Sequence, residues 1–334
     1  MADEVLWQLE LDGIEGQLSL TPDEAPTSPP PANGAKEAKR SLAYLLKTAL
    51  EFGRMGGYVD LLDRVAAFPR YSPYNALLVM LQRPAASYVL PAHRWSEQFR
   101  RVVKPSEQPL VLLQPGGPLM YLFDVSQTEE TDESLPLPPF ARDPFAMTTV
   151  GDAREALYWI SENAKWDGLR VSPTNRGWDH AGCLWPANSG LIQEAYGKGR
   201  QIHSVPIRYE ALINSAHTDA TRLATLAHEL GHLYCGHAGT HDKDLWPDRS
   251  GTPEEMRELE AESVAKVVFQ RRYPGVELPD HLSQFFKGEI PSLDGLDLER
   301  VLTAAGRILE TADGYRPRRS KIRRPDLHGM AKRE

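Results

Sequence analysis

Two histidines four residues apart, His228 and His232, constrain this chain more than any other pair of residues. They lie in LATLAHELGHL (223–233), where apolar residues recur every three or four positions, which predicts an amphipathic helix. Residues i and i+4 share one face of a helix, so both imidazoles can bind one metal ion. Glu229, next to the first histidine, can reach a metal-bound water and act as a general base. The pattern therefore predicts a zinc site with hydrolytic chemistry.

A third protein ligand is needed, because a catalytic zinc site usually has three. The segment ELEAESVAKVV (258–268) is predicted to form the next helix. Glu258 and Glu262 are four residues apart and share a face of that helix, whereas Glu260 points away. We assign Glu258 as the third ligand and Glu262 as a carboxylate that hydrogen-bonds a ligand histidine. The reverse assignment of these two residues stays open.

Other residues near the motif are further candidates. Cys235 could bind the metal or could be a small core residue. His237 and His241 could stabilise an oxyanion, or could cap the helix end, where a cation is favoured. Tyr209 and Tyr234 have no specific role assigned. The strand RQIHSVPI (200–207) is either an edge to which an extended peptide adds or an ordinary core strand.

Charge and proline content divide the chain into five segments. Residues 1–35 carry seven acids and no bases and are predicted to be a disordered, Pro-rich N-terminus. Residues 36–127 carry twelve bases and seven acids, a net charge of +5, and form a first folded block. Residues 128–144 are acidic and Pro-rich and are predicted to be a linker. Residues 145–313 form the second folded block, and 314–334 a basic tail.

The overall composition excludes several classes of protein. No stretch approaches about 20 consecutive apolar residues, which argues against a membrane span. The first residues lack the pattern of a secretory signal. Only Cys183 and Cys235 are present, so we expect no disulfide scaffold and a cytoplasmic location. The net charge of −8 averages over basic and acidic segments and does not exclude a nucleic-acid partner.

The periodicity of the two blocks predicts an α+β protein with two domains. In the first block, helical spacing at 42–50 and 73–82 is followed by short apolar runs between 102 and 127, which predict a hairpin. In the second block, the expected elements are a helix, a pair of strands and two long helices, at 151–166, 183–195 with 200–207, 219–234 and 253–272.

The motifs of the second block resemble a known peptidase type. HELGHLYCGH (228–237) followed by RELEAESVA (257–265) resembles the ImmA/IrrE-type zinc metallopeptidases, which have HExxH and then a Glu in an ExxA context. The matching residues are His228, Glu229, His232, Glu258 and Ala261. The E-x-x-x-E pair also resembles the gluzincin arrangement, in which a ligand Glu is followed by a carboxylate that supports a ligand histidine. The resemblance covers about 145–285 and implies a zincin-like fold with Glu258 as ligand.

The first block resembles a different type. FPRYSPYNALLVMLQRPAASYVLPAHRW (68–95), FRRVVKP (99–105) and FDVSQT (123–128) resemble the N-terminal domain of ArdC-type antirestriction proteins, which implies a single-stranded-DNA-binding module. Interleaved cations and aromatic rings also suit such binding. The predicted DNA-binding residues are Arg70, Tyr71, Arg94, Trp95, Arg100, Arg101 and Lys104. The alternative is that Trp95 and Phe99 are core residues and the arginines are solvated.

These features predict a cytoplasmic zinc-dependent peptidase with an appended module that binds single-stranded DNA. Antirestriction, or a response to foreign or damaged DNA, is the expected process, and a protein or peptide is the expected substrate. The alternative is a single-stranded-DNA-binding antirestriction protein in which the zinc is structural and proteolysis is absent. A third possibility is that the first block recognises a protein.

Overall fold

The structure is a computed structural model that describes residues 57–68, 71–113, 119–138, 141, 153–175, 181–187, 190–197, 201–287 and 292–314. The predicted acidic N-terminus, the helix predicted at 42–50, residues 315–334 of the basic tail, and Arg70 lie outside the described residues. Helices and several small sheets alternate along the described chain, which confirms the α+β class.

The helices are α1 (Tyr58–Ala66), α2 (Pro73–Gln82), α3 (Ala92–Phe99), α4 (Ala153–Ala164), α5 (Asp219–Cys235), α6 (Glu254–Arg272), α7 (Asp280–Lys287) and α8 (Leu298–Thr311). The strands are β1 (Val89–Leu90), β2 (Arg101–Val103), β3 (Leu110–Leu113), β4 (Leu119–Asp124), β5 (Thr128–Glu130), β6 (Leu169–Thr174), β7 (Gly182–Pro186), β8 (Ile192–Tyr196), β9 (Ile202–Pro206) and β10 (Tyr209–Asn214). None of the helices in the described part of the chain has the length and apolar character of a membrane span.

The chain divides into two compact units. Of the described residues, the first unit contains 78–113, 119–138 and 141. The second contains 57–68, 71–77 and the described residues from 153 onward. The boundary therefore falls inside α2.

The first unit is built on a three-stranded antiparallel sheet in the order β1–β4–β3. β3 and β4 pair as the hairpin that the sequence predicts. Its core cluster consists of apolar side chains from several elements, namely Tyr88, Leu90, Trp95, Phe123 and Ala141. Apolar burial of this kind is the main stabilising contribution to a small unit.

The predicted linker is part of this unit. β5, at the start of the acidic segment, pairs antiparallel with β2. Leu135 N donates to Phe99 O, and Ser87 Oγ donates to Ala141 O at 2.7 Å. The side chain of Ala141 is fully buried. The prediction of a linker is therefore wrong for 128–138 and for 141, because backbone pairing outweighs the acidic, Pro-rich composition.

The second unit includes a helix that composition assigned to the first block. α1 packs on α6, and Tyr58 Oη donates to Ser263 Oγ at 2.7 Å. Asp63 pairs with Lys266 Nζ at 2.5 Å and accepts from Gln270 Nε2 at 2.6 Å. The predicted first domain, 36–127, is therefore wrong for α1, because the contacts of α1 lie on the later half of the chain.

The sheet of the second unit has the order β6–β10–β7, parallel between β10 and β6 and antiparallel between β10 and β7. β8 and β9 form a separate antiparallel pair with Gln193 opposite Val205. The expected pairing of 183–195 with 200–207 is therefore right for β8 and β9, whereas β7 pairs with β10. Among the described strands, β9 has no neighbour on its other edge.

Candidate metal centre

Helix α5 carries the HELGH segment. The Thr218 side chain caps its N-terminus by accepting a hydrogen bond from Thr221 N. The apolar positions of the helix are buried, namely Leu223, Leu226, Ala227, Leu230 and Leu233. Because these positions face the core, the rings of His228 and His232 lie at the partly exposed edge of the helix.

Gly231 allows α5 to approach α6 closely. A Cβ atom at this position would lie 3.0 Å from Ala261 Cα and 3.2 Å from Ala261 O. A side-chain rotation cannot relieve contacts with backbone atoms, so the separation of the helices depends on this glycine. The close approach brings Glu258, one turn before Ala261, to the two histidines.

Three potential ligand atoms converge between the helices. His228 Nε2 and His232 Nε2 are 3.0 Å apart, and the Glu258 carboxylate oxygens lie 3.5 Å from the first and 3.4 Å from the second. Tetrahedral zinc with bonds of about 2.0–2.1 Å separates its ligand atoms by roughly 3.3 Å. The three side chains thus fit a divalent metal ion. Among the described residues, one other group of His, Cys, Asp or Glu side chains has its ligand atoms as close together.

Glu262 faces the other side of His228. Its Oε1 lies 3.4 Å from His228 Nδ1, within ion-pair distance. Burial alone lowers the pKa of His228, but the nearby carboxylates, first Glu262, outweigh it and raise the pKa. Hydrogen bonding to His232 lowers the pKa of Glu258. The distances support Glu258 as the third ligand and Glu262 as the carboxylate beside His228, since only Glu258 faces both Nε2 atoms.

Glu229 is buried, with 6% of its surface exposed. Burial raises the pKa of its carboxyl, and the charges of His228 and His232 oppose that rise. A carboxyl group in such a position takes up a proton more readily than an exposed one. A raised pKa and a position next to the first histidine are two properties that a general base would need.

His237 and Glu260 lie behind His232. His237 is buried, and its Nδ1 is 3.1 Å from His232 Nδ1, while its Nε2 is 2.9 Å from Glu260 Oε2. Glu260 is fully buried and accepts hydrogen bonds from Arg249 at 2.6 and 2.7 Å. Both ring nitrogens of His237 are thus engaged, which excludes it as an oxyanion donor. Helical spacing gave Glu260 no role, because spacing cannot show that the loop after α5 brings His237 and Arg249 to its side.

Cys235 belongs to a second cluster with His237 and Glu260, whose ligand atoms lie within 4.8 Å of one another. All three residues are buried. The guanidinium of Arg249 already binds both oxygens of Glu260. Burial raises the pKa of the Cys235 thiol well above its ordinary value, which disfavours the thiolate that a metal needs. The cluster therefore fits a buried polar network better than a metal site.

The remaining candidates near the motif have structural contacts. Tyr234 Oη donates to Asp167 Oδ2 at 2.8 Å, and Tyr209 Oη donates to Gly239 O at 3.3 Å. The ring of His241 packs against that of Tyr209 at 5.8 Å. None of these contacts reaches the three ligand atoms, so the structure assigns no catalytic role to Tyr234, Tyr209 or His241.

Two of the predicted DNA-binding residues are interior. Trp95 is 0% exposed, and its indole N–H donates to Phe123 O at 2.8 Å. Arg101 is buried and donates to Thr128 Oγ1 at 2.8 Å and to Glu130 Oε1 at 2.8 Å. The prediction that Trp95 stacks on bases is wrong, because its ring lies in the core. The guanidinium of Arg101 is likewise hydrogen-bonded and ion-paired within the first unit.

The other predicted DNA-binding residues differ in exposure. Arg94 and Arg100 are exposed, and Arg100 pairs with the exposed Glu133 at 2.7 Å. Lys104 Nζ donates to Ser126 O at 2.7 Å. Tyr71 is partly buried in the second unit, where its ring stacks near that of Phe68.

This chain is similar to two kinds of known protein. A search of curated proteins found no match. Two matching crystal structures are of the antirestriction protein ArdC from plasmid R388, the protein type that 68–128 resemble. The metal-free structure is 16% identical over 73% of this chain and 83% of that chain, and the Mn(II)-bound one is 14% identical over 77% and 95%. Both have a TM-score of 0.32, too low to carry an argument about fold or site.

A family model gives the more specific finding. Residues 191–268 match the peptidase model described as the IrrE N-terminal-like domain. This segment runs from the start of the β8–β9 pair into α6, and it contains both histidines, Glu229 and Glu258. The resemblance that the HELGH and ExxA motifs predict is therefore confirmed: the segment that carries the candidate metal centre is similar to the IrrE N-terminal-like domain.

Proposed function

We propose that the second unit is a zinc-dependent peptidase and that the first unit is an appended module that binds single-stranded DNA. The observation that carries the peptidase proposal is the convergence of His228, His232 and Glu258 beside the buried Glu229. The match of 191–268 to a peptidase family model supports the same reaction class. Antirestriction, or a response to foreign DNA, is the process that the combination suggests.

Zinc is the metal that this donor set favours. Two imidazole nitrogens and one carboxylate oxygen leave a fourth position open, as in hydrolytic zinc sites. His228 Nε2, His232 Nε2 and a Glu258 oxygen are the atoms that would hold the ion. Bound there, zinc would acidify a coordinated water and polarise a substrate carbonyl.

The remaining chemistry belongs to Glu229. Its carboxylate accepts a proton from the attacking water and delivers it to the nitrogen of the leaving amine. A base that returns its proton needs a pKa above that of an exposed carboxyl, and burial of Glu229 shifts its pKa in that direction. Glu262, at 3.4 Å from His228 Nδ1, keeps that ring oriented.

The test compares the full chain with its Glu229→Gln variant. We expect both proteins to bind one equivalent of zinc and to melt at similar temperatures. In cells that express them, only the wild type is expected to generate new protein N-termini, measured by N-terminal proteomics. Identical N-termini in both strains would contradict the peptidase proposal. They would favour the alternative, a nucleic-acid-binding protein with a structural zinc.

The proposal for the first unit has narrower support. Arg94 lies on α3, Arg100 directly follows the last residue of that helix, and both side chains are exposed. Because Trp95 is interior, the contribution of this region is electrostatic attraction to phosphates and not stacking on that ring. The low cysteine content, two in 334 residues, supports the cytoplasmic location that we propose with this function.

A further inference from the structure

We propose that His237 and Glu260 are positioning residues for the metal: together they hold the ligand His232 in the tautomer that leaves its Nε2 available to the ion. The inference rests on the proposed zinc site and adds two residues that the HExxH and ExxA patterns do not contain. Its basis is a continuous line of hydrogen-bonding atoms from the partly buried His232 to the buried His237 and Glu260.

The proton positions along this line follow from the ligand atom. An imidazole that binds a metal through Nε2 carries its proton on Nδ1. His232 Nδ1 must therefore donate, and the atom 3.1 Å away is His237 Nδ1, which must accept. The proton of neutral His237 then lies on Nε2, which donates to Glu260 Oε2 at 2.9 Å. Each ring nitrogen is thus either a donor or an acceptor, and the two hydrogen bonds are compatible with one set of proton positions.

Glu260 fixes the direction of the line because an ionised carboxylate only accepts hydrogen bonds. Its two oxygens also accept from Arg249, and Oε1 accepts from Asp297 N at 3.0 Å. The guanidinium of Arg249 thus contacts both oxygens of Glu260, a geometry that suits a carboxylate that only accepts.

The backbone holds His237 in place independently of the side chains. His237 N donates to His232 O at 2.9 Å, and the preceding residue, Gly236, has φ +86°. A Cβ at Gly236 would lie 2.1 Å from Pro247 O, so only glycine fits this turn. Arg249 N donates to Gly236 O at 2.9 Å. The turn and the following loop thus bring His237 and Arg249 to Glu260 as one assembly.

The two metal-ligand histidines are supported differently. His228 has the carboxylate of Glu262 next to its Nδ1, whereas His232 has a second imidazole between its Nδ1 and a carboxylate. Partners of this kind typically change metal affinity by about 10–100-fold when they are removed. The same contacts also join the end of α5 to α6, so a loss of stability alone would not establish the positioning role.

The experiment measures the zinc affinity of the full chain by competition with a chromogenic chelator. The variants are His237→Ala, which removes the acceptor for His232, and Glu260→Gln, which keeps the shape but removes the charge. Ser263→Ala is the matched control, because Ser263 is also buried on α6 and its hydrogen bonds are to Tyr58 Oη and Leu259 O, which are not part of the line. Thermal melting of each apo-protein shows whether it is folded.

We expect about a 10–100-fold weaker zinc affinity for His237→Ala and Glu260→Gln, and no more than about a twofold change for Ser263→Ala. Unchanged affinity in either folded variant would overturn the positioning role while leaving the zinc site intact. A wild-type protein that binds no zinc would instead overturn the proposed function and this inference together.

A second measurement does not depend on a variant folding. In zinc-loaded wild-type protein with labelled histidines, nitrogen–proton correlation spectra report which ring nitrogen carries the proton. We expect the proton on Nδ1 of His232 and on Nε2 of His237. A proton on Nδ1 of His237 would contradict the line, because two donors would then face each other.

Discussion

The candidate metal centre and the α3–β2 region (92–103) both contain side chains that the sequence predicts to bind a ligand, and the contacts of these side chains differ. In the metal centre, three ligand atoms from two helices face one another at 3.0–3.5 Å. In the α3–β2 region, the indole of Trp95 and the guanidinium of Arg101 find partners inside the same unit. The ligand atoms of the metal centre converge on a point where a metal ion could bind. The polar groups of Trp95 and Arg101 are instead hydrogen-bonded within the first unit.

This difference distinguishes side chains that could bind a ligand from side chains that stabilise the fold. Polar groups that satisfy one another stabilise the chain, whereas a cluster of like acceptors such as two imidazoles and a carboxylate is stable only with a shared cation or protons. Aromatic and basic composition alone therefore does not identify a binding surface. If this distinction is right, substitutions in the metal centre change metal affinity, and substitutions of the buried residues in the α3–β2 region change stability.

The largest expected effect is on stability, in the α3–β2 region. Trp95→Ala removes a fully buried ring and leaves Phe123 O without its donor. We expect it to lower the free energy of unfolding by about 3–5 kcal/mol, measured by chemical denaturation. Arg94→Ala, at an exposed position on the same helix, is the control and should change it by less than about 0.5 kcal/mol. A Trp95→Ala protein of normal stability would show that the ring is not a core residue.

The next effect separates Glu258 from Glu262 in the metal centre. Glu258 faces both Nε2 atoms, and Glu262 faces only His228 Nδ1. Glu262→Gln is expected to weaken zinc binding by about 10–100-fold, as for a partner of a ligand, and Glu258→Gln by more than that. Chelator competition measures both. The reverse order would make Glu262 the third ligand.

A smaller effect is expected from Arg101. Arg101→Ala removes hydrogen bonds to Thr128 and an ion pair with the exposed Glu130. Because Glu130 is solvated, most of the loss comes from the buried contacts, and we expect about 1–3 kcal/mol in unfolding free energy. Denaturation of the full chain measures it. If nucleic-acid affinity falls while stability is unchanged, Arg101 is a binding residue after all.

The smallest effect concerns the exposed cations. Replacing Arg94 and Arg100 together by Ala should weaken single-stranded DNA binding a few-fold and reduce the slope of log K against log salt by about 1.4, or about 0.7 for each phosphate contact. Glu97→Gln on the same helix is the charge control and should not weaken binding. Absence of any affinity of the wild type at low salt would contradict nucleic-acid binding by the first unit.

Periodicity predicted the elements that carry the candidate centre. The apolar spacing of 223–233 places α5, and the spacing of Glu258 and Glu262 places both on the side of α6 that meets the histidines. The positions of His228, His232, Glu258 and Glu262 therefore follow from helical periodicity. His237 and Glu260 did not, because their contact depends on how the loop between α5 and α6 returns Arg249 to Glu260. Sequence spacing contains no information about that loop.

The errors in the first block have a similar cause. Composition assigned 58–66 and 128–138 by charge and proline content, but backbone pairing of β5 and the hydrogen bond of Tyr58 decide where they pack. Trp95 was ambiguous because the α3 sequence has only one buried position, too few to define an apolar face. Long-range contacts, which sequence alone does not give, settle each of these cases.

The most direct test of the account is zinc-edge X-ray absorption of the full chain loaded with one equivalent of zinc. The account predicts only nitrogen and oxygen neighbours at about 2.0–2.1 Å, with the outer-shell scattering of two imidazoles from His228 and His232. A sulfur neighbour at about 2.3 Å would contradict it, because that signal requires a cysteine such as Cys235 in the buried cluster with His237 and Glu260.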